Sequence, residues 1–407
     1  MTMDPFTVSA AQADLERYVG FGVKASGGPG DRAAGAWLEA ELRALGFGIE
    51  RQTFEAPWFE PSIAEIAVDG QVAAVIPQAV VVTTPQDGIS APLVLADVGD
   101  RARLKGAIAI VSLPHARWSS LVSPVPRQMA QAAFDAGAVA VVLITHGPTG
   151  QALALNAPAD GPMFPRPAAI LAPKAAPPFL VAAARGEVGR LTVAGAGGRR
   201  EAYNIVARLD RGRGRWLVVS TPRSGWFGCA GERGPGVAIW LMLARWAARA
   251  DLPVDVAFVC NSGHEYENLG AARLLHDAAP KPAQTAFWLH LGANAAARDW
   301  HELGGQMTPL PSADPQRYLG VSPSLIDEAR RIFAGQPGLE APYPAAPGAA
   351  GELGHIIAAG YPALAGVFGA HRFHHAAADD LRTVEPAHAV QAAIGFRDLI
   401  HSALKSL

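Results

Sequence analysis

Between residues 203 and 291 the chain alternates apolar runs with helical stretches, and its apolar runs lead into polar, glycine-containing loops. Residues 203–209 (YNIVARL), 215–221 (RWLVVST), 254–261 and 285–291 read as buried strands, while 236–249 and 272–279 carry helical spacing. Strands that alternate with helices form a sheet covered on both faces, with any site in the loops that leave the strand C-termini. The fold class expected is therefore α/β. Upstream, residues 31–45 have apolar positions at helical spacing and stop before Gly46, and 47–54 read as a strand. From 61 to 198 the texture changes to short β runs broken by Pro and Gly, with strands expected at 93–96, 107–113 and 138–145 and a helix at 126–136. Residues 342–351 (PYPAAPGAAG) form a connector, and no internal repeat is visible.

Composition narrows the function. Half of the 407 residues are hydrophobic and 17% are charged, ample for a large core. A net charge of -2 argues against electrostatic capture of nucleic acid. Two cysteines, Cys229 and Cys260, exclude a disulfide scaffold and a thiolate-rich zinc module. Residues 1–12 carry Asp4 and no basic-then-apolar leader, and the longest apolar runs, such as 136–145, fall far short of the roughly 20 residues a membrane span needs. The expectation is a cytoplasmic protein with a small-molecule or short-peptide substrate, no membrane partner, and room for a homo-oligomer. Of 12 histidines, ten lie at or after His264. Chemistry is therefore expected in the later part of the chain.

Four loops carry clustered polar residues. They are TPRSGWFGCAGERGPGVA after residue 220, NSGHEYENLGA after 260, the strand end at His290, and HRFHHAAADDLRTVEP from 371. Metal sites are assembled from His and carboxylates at several strand ends, with further carboxylates orienting the imidazoles. In order, these loops resemble the zinc aminopeptidase family that also contains glutamate carboxypeptidases and glutaminyl cyclases. GPGVAIWLMLARWA (234–247) matches that family's helix, FVCNSGHEYENLGA (258–271) its Glu-Glu strand, GYPALAGVF (360–368) its Gly-Ile-Pro-Ala strand, and HHAAADDLRTVEP its late His segment. LKGAIAIV (104–111), MAQAAFDAGAVAVVLI (129–144) and FPRPAAIL (164–171) resemble the protease-associated domain inserted in several peptidases. The resemblance implies an aminopeptidase-like mixed sheet flanked by helices, with residues 1–60 and 199–407 forming the catalytic domain and 61–198 the insert.

The resemblance also implies ligands, and here the chain departs from the pattern. The family's His-x-Asp becomes Pro222-Arg223-Ser224, its bridging Asp falls on Glu232, its Glu-Glu pair on His264-Glu265, and its next strand-end Asp on His290. The late His is His375, with Asp379 following. A two-metal centre is not expected. One divalent ion, zinc first and iron or manganese as alternatives, would take Glu232, Glu265, His290 and His375 as its candidate ligands. His264 would serve as acid or base beside Glu265, with Arg223, Tyr266, His355 and His374 facing substrate. The reaction implied is hydrolysis of an amide or peptide C–N bond; the alternatives are a non-catalytic binding protein, or oxygenase or acyl-transfer chemistry at one metal. Structural roles stand beside each assignment: Glu232 as a salt bridge to Arg233 or Arg223, His264 and His290 as hydrogen-bonded strand ends, and Cys229 and Cys260 as packing residues. Cys229 as a nucleophile would need a base such as His264.

Overall fold

The computed structural model describes residues 4–96, 101–303 and 306–405. The chain forms two compact units, one of Met1–Glu55, Glu201–His374 and Ala378–Leu407, the other of Ala56–Arg200 with His375–Ala377. Among the described residues no helix is long and apolar enough to cross a membrane.

In the first unit four neighbouring strands run parallel, in the order Asp255–Asn261, Trp216–Pro222, Thr285–Leu291 and Leu364–Gly369. Residues 205–209 pair antiparallel on one side and Arg317–Val321 antiparallel on the other, so the sheet is mixed. Successive side chains of a strand point to opposite faces. Leu217 and Val219 accordingly enter one core with Trp240, Met242, Phe396 and Leu42, while Val218 enters another with Trp288, Leu274, Leu353 and Ile356. The first core lies under helices Val8–Gly20, Pro29–Ala44, Ala230–Ala247 and Pro386–Lys405; the second lies under Leu269–Asp277 and Glu352–Ala358. Burial on both faces is why these strands are continuous apolar runs rather than alternating ones. It is an α/β fold with a mixed sheet flanked by helices.

The second unit repeats this logic. Ile89–Leu95, Ile108–Ser112, Ala140–Ile144 and Ala168–Leu171 are parallel, and Gln71–Pro77 closes antiparallel on the last. Ile108 and Ile110 pack on one face, toward Phe179 of the Pro177–Arg185 helix, and Ala109 and Val111 on the other, toward Phe134 of the Pro124–Asp135 helix.

Element ends differ from sequence expectation where distant groups intervene. The helix expected from 236 begins at Ala230, despite Pro235 inside it. Its early N–H groups are held by Asp379, which accepts from Gly231 N at 2.7 Å and from Glu232 N at 3.0 Å. A carboxylate there satisfies donors that have no partner within the helix and complements the positive helix terminus. The helix expected over 272–279 likewise begins earlier, at Leu269, after left-handed Glu267 and Asn268.

Candidate functional site

Because the four parallel strands share a direction, the loops leaving Pro222, Asn261, Leu291 and Gly369 emerge at one edge of the sheet. That edge is where parallel sheets place their sites. Left-handed non-glycine residues are uncommon, yet Cys229, Glu267, Asn268 and Asn294 all adopt that conformation in these loops.

Glu232 and Arg233 occupy the first turn of Ala230–Ala247, both nearly fully buried, with Arg233 Nη2 2.7 Å from Glu232 Oε1. Arg233 also donates through Nε to Ser224 O at 3.0 Å. Asp379, which holds this helix start, accepts from Thr383 Oγ1 at 2.6 Å and lies 3.3 Å from His371 Nε2. Burial opposes charge on His371, but the Asp379 carboxylate outweighs it and raises the imidazole above its ordinary value. Gly231 is required here, because a Cβ would stand 2.7 Å from both His371 Cε1 and Thr383 Oγ1. His374 Nδ1 lies 4.0 Å from Glu232 Oε1.

A second group surrounds Glu352, at the start of the helix Glu352–Ala358. Asn261 Nδ2 donates to Glu352 Oε2 at 2.8 Å, and His264 Nδ1 lies 3.8 Å from Oε1. Burial lowers His264 to about 4, helped by Arg233 and opposed by Glu352. Burial likewise lowers His290 to about 4, against the pull of Glu352. Burial alone would push Glu352 up; the neighbouring imidazoles of His264 and His290, with the Asn261 amide, bring it below the usual carboxylate range. Both imidazoles are thus neutral at pH 7, beside an ionised Glu352. His290 Nδ1 is 2.9 Å from Ser220 Oγ, which also accepts from Trp288 Nε1 at 2.8 Å. With the indole as obligate donor, the simplest chain has Ser220 donate to His290 Nδ1, so that His290 carries its proton on Nε2.

Two expected site residues are engaged elsewhere. Glu265 takes hydrogen bonds from Ser26 N at 2.8 Å and from Ser26 Oγ and Ser224 Oγ at 2.7 Å each. Burial nevertheless raises its carboxyl above the usual range. Arg223, expected to face substrate, is fully buried: Nε meets Asp31 Oδ1 at 2.9 Å, Nη1 donates to Cys260 O at 3.0 Å and Nη2 to Tyr203 O at 2.7 Å. With each nitrogen so engaged, Arg223 braces the chain around Asp31. Tyr266 is mostly buried and stacks edge-on with Trp226 at 6.2 Å. His355 is exposed and its Nε2 is 3.5 Å from Asn268 Nδ2. Burial pushes the Cys229 thiol well up, which leaves it a poor nucleophile. His375 has a left-handed backbone, and its Nδ1 donates to Ala154 O at 2.7 Å.

Among the described residues, one group of three offers donors that all lie within 4.8 Å of one another: Glu232, His374 and the next residue in the chain, His375. One carboxylate and two imidazoles suit zinc, and equally iron. Because a carbonyl only accepts, the Ala154 bond puts the His375 proton on Nδ1, so that Nε2 is the nitrogen that would ligate a metal, in the arrangement common to metal-bound imidazoles. The charge also fits. Among the described residues of these loops, Glu232, Glu265, Glu352 and Asp379 are buried carboxylates, and of the two buried guanidinia Arg223 is already paired with Asp31 while Arg233 lies against Glu232. The donor set therefore fits a divalent cation. Sequence reasoning had no means of finding Glu352, whose partners lie some 90 residues away, nor the Arg233 contact with Ser224.

No protein-family model matches the chain, and no curated protein matches it. Solved structures do. A zinc aminopeptidase from Bacillus subtilis aligns over 99% of this chain and 96% of its own, with a TM-score of 0.74 and 16% identity. A peptidase precursor from Shewanella amazonensis aligns over 98% and 93%, with a TM-score of 0.75 and 16% identity. An aminopeptidase from Aneurinibacillus sp. aligns over 98% and 94%, with a TM-score of 0.67 and 15% identity. At such identities the likeness is one of fold: this chain has an aminopeptidase-like fold.

Proposed function

We propose that the chain is a metal-dependent hydrolase of amide or peptide C–N bonds in small substrates, using one divalent ion held by Glu232, His374 and His375. The observation that carries this reading is the convergence of those three donors within 4.8 Å, on the loop edge of an aminopeptidase-like sheet. Such an ion, when bound, supplies a water of near-neutral pKa and polarises a carbonyl. His264, neutral at pH 7 and in the loop that follows Asn261, is the proposed proton carrier. It accepts a proton from the attacking water as the new C–O bond forms, and delivers it to the leaving nitrogen as the C–N bond breaks. Glu265 and Arg223 drop out of the proposed machinery, since their hydrogen bonds hold the loops together.

Elemental analysis of purified protein tests the reading. About one zinc, iron or manganese per chain is expected, lost in Glu232→Gln and His374→Ala, together with chelator-sensitive hydrolysis of acyl-amide or dipeptide substrates. A protein without metal, and indifferent to chelators, would sink it. One observation favours a second reading, a non-catalytic binding protein: Glu232 already has a counter-ion in Arg233 at 2.7 Å. That reading predicts no stoichiometric metal and unchanged ligand binding in His264→Ala.

A further inference from the structure

Glu352 belongs to none of the proposed ligands, yet it is a buried carboxylate, 1% exposed, with one oxygen clamped and the other not. Asn261 holds Oε2 at 2.8 Å. Oε1 is buried, accepts no hydrogen bond, and faces His264 Nδ1 at 3.8 Å. A buried acceptor left without a donor costs about 1–3 kcal/mol, so the approach of an N–H from His264 is favourable. Hydrogen bonds among catalytic groups are often long before substrate arrives and shorten in the complex. Asn261 ends one parallel strand, His264 lies three residues further on, and Glu352 opens the helix Glu352–Ala358; the strand core and this helix core are packed together through Leu353, Ala257 and Val259. The carboxylate is therefore set on a helix, and the imidazole stands in the loop three residues beyond the end of a buried strand.

We infer that Glu352 is a positioning residue: held by Asn261, it fixes the proton of His264 on Nδ1 and so presents the Nε2 lone pair as the proton acceptor. A carboxylate that accepts from one imidazole nitrogen sets the tautomer and the ring orientation, and steadies the imidazolium once the other nitrogen is protonated. This rests on the reading of His264 as proton carrier and adds the group that makes it competent. His290, also coupled to Glu352, has its Nδ1 turned to Ser220 and is tied into the sheet. His264 is the imidazole of the pair that stands in a loop.

The test is nitrogen-15 NMR of full-length protein labelled at histidine, with the His264 resonance assigned by loss in His264→Gln. The wild type should show a protonated Nδ1. Glu352→Gln should shift the ring toward the Nε2-protonated form, Glu352→Asp should restore the wild-type tautomer in part, and Asn261→Ala should fall between. Where hydrolysis is measured, Glu352→Gln should lower kcat about ten- to one-hundred-fold with KM within two-fold, the range typical of groups that orient a reacting residue. An unchanged His264 tautomer in folded Glu352→Gln overturns the inference, whatever the activity. A tautomer shift in a protein that hydrolyses nothing upholds the pair and removes the hydrolase reading instead.

Discussion

Asp379→Ala is the substitution whose cost can be worked most directly from the structure. The carboxylate accepts from Gly231 N at 2.7 Å, Glu232 N at 3.0 Å and Thr383 Oγ1 at 2.6 Å, with His371 Nε2 at 3.3 Å. All of these groups are buried. Losing an N-terminal cap alone costs about 1 kcal/mol. Each buried donor left without an acceptor costs about 1–3 kcal/mol more, although relaxation of the first turn recovers part of it. A net loss of about 3–5 kcal/mol is expected, a large share of the 5–15 kcal/mol typical of whole proteins. Asp379→Asn should lose roughly half as much, since the amide keeps one acceptor oxygen but turns an NH2 toward a donor. Urea unfolding followed by circular dichroism gives the loss as a shift of the midpoint at constant slope. The same substitution should lower the titration of His371, because Asp379 is what raises it. Asp379→Ala within about 1 kcal/mol of wild type, with His371 titrating unchanged, would refute the argument that one residue both starts the helix and raises the titration of the imidazole.

Gly231→Ala puts a methyl 2.7 Å from His371 Cε1 and Thr383 Oγ1, and should destabilise by about 1–3 kcal/mol in the same urea assay. Arg223→Met strips the buried Asp31 of its counter-ion at 2.9 Å and should cost about 3–5 kcal/mol, much of it regained in the double variant with Asp31→Asn, with no effect on metal content. Stability should also fall with acid. His264 and His290 stand at about 4 in the folded chain against 6.5 free, so the unfolded chain binds their protons first; stability is full above 6.5 and declines as pH falls toward 4, by a few kcal/mol for the pair, measured as urea midpoints at pH 7.5, 6 and 5. If a resident ion is held at about 1,000 times its Kd, chelation should remove about 4 kcal/mol, seen as a drop in Tm that Glu232→Gln does not show.

The strands of the first unit are legible in sequence because a strand buried on both faces has no freedom to be polar, and Trp216–Pro222, Asp255–Asn261 and Thr285–Leu291 fall where the apolar runs stand. The loops that bear polar side chains are legible for the same reason: they begin where those runs end. What each charged residue does there is a different matter, since a buried charge is defined by the partner that neutralises it, and the partner comes from elsewhere in the chain. Arg223 and Arg233 are ten residues apart in one loop-helix segment and equally buried, yet one finds Asp31 and two carbonyls while the other finds Glu232. Nothing in the local sequence distinguishes them. Glu265 stands where the sequence resemblance places a ligand, but two serines, one of them Ser26 near the start of the chain, take its oxygens. Those serines read as ordinary loop residues. Glu352 was hidden by the reverse effect, an unremarkable glutamate after a Pro/Ala/Gly connector that becomes significant only when Asn261 and His264 meet it. A carboxylate serves a metal or an imidazole only to the extent that protein donors have left it available. Motif position nominates Glu265, whereas the convergence of Glu232 with His374 and His375 favours Glu232 for the ion, and the approach of Glu352 to His264 favours Glu352 for the proton.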